Sequence, residues 1–181
     1  MVLLNRTEDL VIIGPPKTKE TIEKILELIN TPESMDSFSI HFKELRDSNE
    51  IQTFEETYKI KCLKMPHSII SFAYRVDKGN KSICYSGDTK PNKDLILLSE
   101  NCDLLIHEST FLDRYEELAH KLYHSTPSDA AEIAMESNCK KLVLFHIPPS
   151  FSKHTAKFKK QAEKRFKNKV LIAEDLMELN I

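Results

Sequence analysis

The sequence places a polar side chain beside several short apolar runs, at positions where strands or helices are expected to begin or end. Open α/β sheets hold ligands at the carboxyl ends of their strands, because adjoining loops and helix starts surround a site there. Imidazoles and carboxylates at such an edge are suited to proton transfer and to metal binding. Five residues stand in such positions: His67, Asp88, Glu108, His124 and His146.

Each of these residues, taken alone, also has an ordinary structural explanation. A single histidine after an apolar run is more often a buried core residue than a ligand, and Asp88 is typical of a turn. Glu108 could pair with a neighbouring lysine. Ser125, or Thr126 ahead of a proline, suffices as a helix cap. The joint occurrence of the five polar residues in one architecture favours a functional site.

Hydrophobic spacing predicts the elements that must position these residues. The early part of the chain is rich in adjacent strands, and the later part alternates strands with helices, so we expect an α/β fold with a mixed sheet. Asp77–Asn80 is a strong turn signal between two strands. The predicted strands are 10–14, 37–42, 51–60, 68–76, 81–86, 104–107, 142–146 and 170–173, and the predicted helices are 21–29 with Thr18 as cap, 92–99, 113–122, 127–138 and 155–167.

Length and composition limit the class of protein. The 181 residues suit one domain, and a net charge of -2 excludes a strong overall attraction to nucleic acid, though not a local basic patch. No apolar stretch approaches the roughly 18 residues of a membrane span, and no signal peptide is visible. Four widely spaced cysteines without a CxxC pair indicate reduced core thiols in a cytosolic protein: Cys62, Cys84, Cys102 and Cys139.

Other charged residues have two open interpretations. A basic run near the C-terminus could touch an RNA backbone or could be a solvated helix face. Three further histidines, His41, His120 and His154, stand among charged residues and are interpreted as surface side chains. The basic run comprises Lys153, Lys157, Lys159, Lys160, Lys164, Arg165, Lys167 and Lys169.

In combination these motifs resemble the metallo-β-lactamase superfamily and, within it, the ribonuclease Z family of tRNA 3′-processing endonucleases. The resemblance runs from about residue 3 to the end of the chain. The strand followed by Gly-Asp-Thr, together with His-Glu-x-Thr, is its most specific part. The matching stretches are 67–76, 85–91, 103–111, 124–126, 142–147 and 173–175.

This resemblance implies a fold and a metal centre. The fold would be a metallo-β-lactamase-type αββα sandwich, with residues 1–181 forming its C-terminal portion with mixed sheets. Two metal ions, normally zinc, would lie at one edge. His67 would ligate the first ion, His146 would ligate the second, and Asp88 would bridge both. Imidazole suits zinc, and a carboxylate can span two cations.

The resemblance also implies catalytic roles and a partner. His124, held by Glu108, would lie near the scissile phosphate and protonate the leaving oxygen. Ser125 and Thr126, at a helix start, would offer N–H groups to a phosphate. The implied activity is the zinc-dependent endonucleolytic removal of 3′ trailers from precursor tRNA. The implied protein is a cytoplasmic homodimer whose partner is RNA and which does not bind a membrane.

Two features depart from the family pattern. The family's His-x-His-x-Asp-His segment, which supplies three ligands, does not occur in this sequence, so we expect one domain that is incomplete at its N-terminus. His67, Asp88 and His146 then supply about one and a half ligands per ion, where three are usual. Only Asp77–Asn80 stands where bacterial members insert a tRNA-gripping arm.

The alternatives to a ribonuclease Z activity are a hydrolase of another small phosphodiester or ester, and an inactive fragment that serves in dimerisation or RNA binding.

Overall fold

A computed structural model describes residues 7–29, 38–55 and 58–181. The chain forms two compact units, Met1–Asp47 and Ser48–Ile181. In the first unit, strand β1 (Leu10–Gly14) pairs in parallel with β2 (Ile40–Glu44), and helix α1 (Thr18–Leu28) connects them. The strand expected at 37–42 therefore begins and ends later, and residue 37 lies outside the described residues.

The start of α1 corrects one sequence prediction. Thr18 was expected as the cap, but the cap position belongs to Lys17, which has a left-handed φ of 71°. Thr18 is the first helical residue, and its hydroxyl donates a 2.6 Å hydrogen bond to the Pro15 carbonyl. The two preceding prolines have fixed φ angles, so the tight turn into the helix is made at the residues that follow them.

The second unit contains one seven-stranded mixed sheet, in which the strands lie in chain order. The first three strand pairs are antiparallel and the last three are parallel, so the fourth strand has one neighbour of each kind. The strands are β3 (Gln52–Glu55), β4 (Lys59–Met65), β5 (Ser71–Lys78), β6 (Lys81–Tyr85), β7 (Leu104–Glu108), β8 (Lys141–Phe145) and β9 (Lys169–Ile172).

The single strand expected at 51–60 is two strands. Glu55 in β3 pairs with Lys59 in β4, so the chain reverses within the predicted element. The sequence between them contains no glycine or proline to signal the reversal. By contrast, the predicted turn between β5 and β6 is confirmed: Lys78 pairs with Lys81, and Gly79 takes a φ of 57°, which glycine adopts without steric cost.

Helices cover one face of this sheet. Helix α4 (Pro127–Glu136) packs against both α2 (Lys93–Leu98) and α5 (Thr155–Arg165), and the three together contact strands β4, β5, β7, β8 and β9. The core between them includes Leu105, Leu142 and Leu144, each fully buried, and each such side chain contributes roughly 1.5–3 kcal/mol. The helices are α2 (Lys93–Leu98), α3 (Glu116–Lys121), α4 (Pro127–Glu136) and α5 (Thr155–Arg165), with 3₁₀ turns at Asp113–Tyr115 and Pro149–His154.

All four cysteines are buried and reduced, as predicted for core thiols. Cys102 and Cys139 lie close together, with 3.2 Å between their sulfur atoms. Burial raises the pKa of Cys62 to about 12, so that thiol stays protonated at neutral pH. Within the described residues, no helix is both long enough and apolar enough to cross a membrane.

Candidate active site

The parallel part of the sheet brings three of the predicted site residues to one edge. Glu108 is the last residue of β7, His146 follows the last residue of β8, and Asp88 stands three residues after β6. Because β6, β7 and β8 are parallel, their carboxyl ends meet there. Strand β4 runs in the same direction as β6, since each is antiparallel to β5. It therefore delivers His67, two residues beyond its end, to the same edge.

The centre of the site is a histidine–carboxylate pair. His124 Nδ1 lies 2.8 Å from Glu108 Oε1. The Glu108 side chain is fully buried, whereas the His124 side chain is 19% exposed. The carboxylate thus orients one edge of the imidazole and leaves the opposite nitrogen, Nε2, available to a substrate.

Glu108 is held by an unusually complete set of donors. Oε1 accepts from the Thr89 backbone N–H at 2.9 Å as well as from His124. Oε2 accepts from the Thr110 hydroxyl at 2.8 Å, from the Thr110 N–H at 3.2 Å and from the Ser125 N–H at 3.1 Å. These bonds replace the water that a buried carboxylate loses, so Glu108 stays ionised and fixed in place.

The same contacts shift both ionisation equilibria. Burial raises the pKa of Glu108, but its hydrogen bond and charge interaction with His124, with help from Thr110 and Thr89, more than offset that effect. The pKa of Glu108 therefore lies below its ordinary value. The hydrogen bond from Glu108 raises the pKa of His124 above its ordinary value, against the opposing effect of partial burial.

Three imidazole rings cluster at this edge. The His124 ring centroid lies 5.1 Å from that of His67 and 5.7 Å from that of His146. Asp88 Oδ2 lies 3.5 Å from His146 Nε2. The structure thus brings together the five residues that the sequence singled out, and its geometry leaves their individual roles as predictions.

The donor chemistry of this cluster fits a divalent cation. His67 Nδ1 accepts a long 3.5 Å hydrogen bond from the Ile69 N–H, so Nε2 could bind a cation only if the ring proton lay on Nδ1 and this bond were given up. The His146 and Asp88 side chains are 44% and 32% exposed, so both are accessible. Two imidazoles and a carboxylate are ligands that zinc accepts.

Local backbone geometry aims two of these side chains. His146 adopts a left-handed φ of 58°, which is uncommon for a residue other than glycine and is often found at functional sites. Gly87, directly before Asp88, has a φ of 62°. A Cβ atom on Gly87 would lie 2.6 Å from the Phe72 carbonyl oxygen, so only glycine fits there.

The start of α4 does not support the predicted phosphate contact by Ser125 and Thr126. The Ser125 N–H bonds to Glu108, and its hydroxyl donates to the Thr89 carbonyl at 2.7 Å. The Thr126 N–H and hydroxyl both donate to Asp129 Oδ2 at 2.8 Å. Both residues are buried, so these donors are already satisfied. The alternative prediction of a helix cap is confirmed at Thr126, which forms a capping box with Asp129.

Sequence reasoning missed the residues that hold Glu108. Thr89 and Thr110 lie inside the matched stretches but received no role, and Ser86 was also passed over. The Ser86 hydroxyl accepts from the Glu108 N–H at 3.0 Å and donates to the Gly87 carbonyl at 2.6 Å. No spacing rule separates such donors from ordinary turn residues, because the strands that bring them together are distant in sequence.

A second group of potential metal ligands lies on other elements. Glu116 and His120 stand four residues apart on one face of α3, and Asp129 comes from α4. One ligand atom from each lies within 4.8 Å of the others, and this is the one such trio found in the described part of the chain. His120 Nε2 is 2.9 Å from Asp129 Oδ2. His120 is thus partly exposed, as expected, but it is paired.

A family model described as a beta-lactamase superfamily domain matches residues 1–147. The chain therefore belongs to the β-lactamase superfamily, and the fold is the metallo-β-lactamase fold. That fold implies metal ions.

Curated relatives narrow the comparison. Ribonuclease Z of Methanosarcina acetivorans is 29% identical over 232 aligned residues, covering 100% of this chain and 73% of that protein. Ribonuclease Z of Archaeoglobus fulgidus is 39% identical over 101 residues, covering 56% of this chain and 33% of that protein. Ribonuclease Z of Limosilactobacillus reuteri is 28% identical, and the chain spans 62% of its length. This chain thus spans from one third to about three quarters of these relatives.

Solved structures agree on the fold. The metallo-β-lactamase fold protein YhfI from Bacillus subtilis aligns with a TM-score of 0.74 at 24% identity, covering 96% of this chain and 66% of that one. Human tRNase Z, short form, aligns with a TM-score of 0.72 at 24% identity, covering 96% of this chain and 68% of that one.

Proposed function

We propose that this chain is a metal-dependent phosphodiester hydrolase of the ribonuclease Z type, which removes 3′ trailers from precursor tRNA endonucleolytically. The observation that carries the proposal is the 2.8 Å His124–Glu108 pair, flanked by the rings of His67 and His146. Relatives named ribonuclease Z that align with the whole chain support RNA as the substrate.

In this proposal His67, Asp88 and His146 hold two divalent cations, with zinc the preferred identity because imidazole suits it. When bound, such a pair stabilises the attacking and leaving oxygens of a phosphodiester. Asp88 is the one carboxylate of the three, so it is the residue that would bridge the ions. Asp88 Oδ2 lies 3.5 Å from His146 Nε2, so these two groups could hold one ion together.

His124 acts as the general acid in the proposed mechanism. Its Nδ1–H donates to Glu108, so the proton on Nε2 is directed to the departing oxygen of the phosphodiester. The hydrogen bond to Glu108 raises the pKa of His124, which favours the protonated ring that a general acid needs. Glu108 stays ionised and positions the ring, and Phe111, whose ring centroid lies 6.1 Å from that of His124, shields it from water.

A cleavage assay on the zinc-loaded chain tests this function. We expect a precursor tRNA with a 3′ trailer to be cut at one position, and a chelator to abolish the cut. Metal analysis should give bound zinc that falls in the Asp88→Ala variant. If the chain hydrolyses bis(p-nitrophenyl) phosphate but leaves the precursor intact, the ribonuclease assignment is wrong.

Two other functions follow from particular observations. The two-residue turn between β5 and β6 leaves no arm at that hairpin, which favours a hydrolase of a smaller phosphodiester or ester. Three predicted ligands for two ions favour an inactive module for dimerisation or RNA binding. The module would show near-zero zinc and no turnover on either substrate. We further propose a cytoplasmic homodimer, which light scattering of the purified chain would test.

A further inference from the structure

One surface of the second unit carries positive charge without matching acids. Arg114, Lys157, Lys160 and Lys164 line a 310 Å³ depression together with Leu112, Phe151 and Gln161. We call the four cations and the depression between them the basic groove. None of the residues that line it is acidic.

Helical spacing explains why three lysines share this surface. Lys157, Lys160 and Lys164 are separated by three and four residues on α5, so they lie on one face of the helix. The rise of the helix separates them by about 4.5 Å and 6 Å along its axis. Arg114, from the 3₁₀ turn at Asp113–Tyr115, faces the same depression.

Acids on α5, on α4 and beside Arg114 are bonded to other groups. Glu163 on α5 pairs with Lys159 at 3.8 Å, and Glu132 on α4 pairs with Arg165 at 2.6 Å. The Asp113 carboxylate, beside Arg114, instead accepts two hydrogen bonds from Ser128, at 3.1 Å and 2.7 Å.

As a result, no ion pair is found for any of the four groove cations within the described residues. The guanidinium of Arg114 lies over the ring of Tyr115, 4.6 Å from its centroid.

Two segments of the chain connect the basic groove with the active site. Leu112 lines the groove and directly follows Phe111, whose ring packs beside His124. Phe151 lines the groove from the 3₁₀ turn Pro149–His154, and that turn begins three residues after His146. The groove therefore includes residues from two segments that lead directly to the catalytic edge.

Resting on the proposed function, we propose that the basic groove binds the phosphate backbone of the RNA substrate next to the cleavage site. A row of unpaired cations at helical spacing matches a polyanion, whose binding releases counterions. Contacts of this kind position the substrate without reading its sequence. The groove would therefore contribute affinity, while the chemistry remains with His124 and Glu108.

The test compares two triple variants with equal charge change. K157A/K160A/K164A removes the groove lysines, and K153A/K159A/K169A removes three others that do not line it. Binding of a labelled precursor tRNA is measured over a range of salt concentrations, and hydrolysis of bis(p-nitrophenyl) phosphate is measured in parallel. Circular dichroism checks that each variant folds. The single variant K160E, compared with K159E, replaces the triples if either does not fold.

We expect the groove variant to bind RNA roughly 10- to 100-fold more weakly at low salt and to show a salt slope lower by about 2. The control variant should stay within about twofold of the unmodified chain, and small-ester hydrolysis should not change in either.

The proposal is wrong if neither triple variant changes RNA binding or its salt slope. It is also wrong if both variants lose RNA binding equally, since only total charge would then matter. A groove that bound an acidic peptide but no RNA would overturn the choice of partner. The function above fails separately, if the unmodified chain binds precursor tRNA without cutting it.

Discussion

Two histidines four residues apart in this chain each pair with a carboxylate at nearly the same distance, His124 through Nδ1 and His120 through Nε2. His124 meets Glu108 at 2.8 Å, and His120 meets Asp129 at 2.9 Å. They differ in their surroundings. The Glu108 side chain is fully buried and the His124 ring adjoins two other imidazoles, whereas the His120 side chain is 37% exposed.

The comparison teaches that the pair itself does not make a catalytic site. Asp129 divides its charge between His120 and the cap of α4, because the same oxygen accepts two bonds from Thr126. Glu108 accepts one bond from the His124 ring, and its four bonds from Thr89, Thr110 and Ser125 fix the carboxylate that holds this ring near His146. Neighbours at the sheet edge, rather than the hydrogen bond, distinguish a proposed acid catalyst from a structural contact.

The largest expected difference between the pairs is in turnover. His124→Ala should slow phosphodiester hydrolysis roughly 10²- to 10⁴-fold, because the proposed proton donor is lost. Zinc content should hardly change, since His124 is assigned proton transfer and not ligation. His120→Ala is the matched control and should leave turnover within about twofold. Loss of zinc in His124→Ala would reassign that residue as a ligand.

Stability should separate the two carboxylates next. Glu108→Gln presents an amide to five donors, so some donors lose their acceptor in a buried site, at a cost of about 2–4 kcal/mol. Asp129→Asn, which weakens a cap and a half-exposed pair, should cost about 1 kcal/mol. Urea unfolding of both variants measures these values. An equal loss of unfolding free energy in both variants would show that burial of Glu108 does not increase its contribution to stability.

Substitution of a third carboxylate, Asp103, should give the smallest loss of stability, and that loss should depend on pH. Asp103 accepts from Lys140 at 2.8 Å and from the Ser82 N–H at 2.9 Å, and the bond to Lys140 does most to lower the pKa of Asp103. A lowered folded-state pKa means that this contribution is present above the unfolded value, near 4, and is lost as the pH falls below it.

Asp103→Asn should therefore lower the urea midpoint slightly at pH 7, and by less as the pH falls from about 4 through the lower folded-state pKa of Asp103. The gap is small because Lys140 is exposed to solvent, which screens the pair. A gap that grew on acidification would contradict this assignment.

The strand boundaries show which parts of the fold could be predicted from the sequence. Glu108 and His146 could be placed at strand ends because apolar runs mark β7 and β8 clearly. The boundary at residue 55 could not be found, since the chain reverses there without glycine or proline. Thr18 was misplaced by one residue because threonine is a preferred cap and lysine is not, whereas the backbone puts Lys17 at that position.

Side-chain partnerships across the sheet were harder to predict. The pairing of Glu108 with His124 entered through family resemblance, and the roles of Thr89 and Thr110 did not enter at all. Ser125 and Thr126 were assigned to phosphate because a helix start offers N–H groups. Whether those groups are free depends on Glu108 and Asp129, which only the folded chain brings to them.

The amino-acid sequence alone determined the alternation of strands and helices, the tight turn at Gly79 and the set of residues able to do chemistry, because these follow from local periodicity and residue type. The tertiary structure decided which of two similar histidine–carboxylate pairs lies among other imidazoles, and which lysines face a groove without acids. Those outcomes depend on contacts between distant segments, and local propensity carries no information about them.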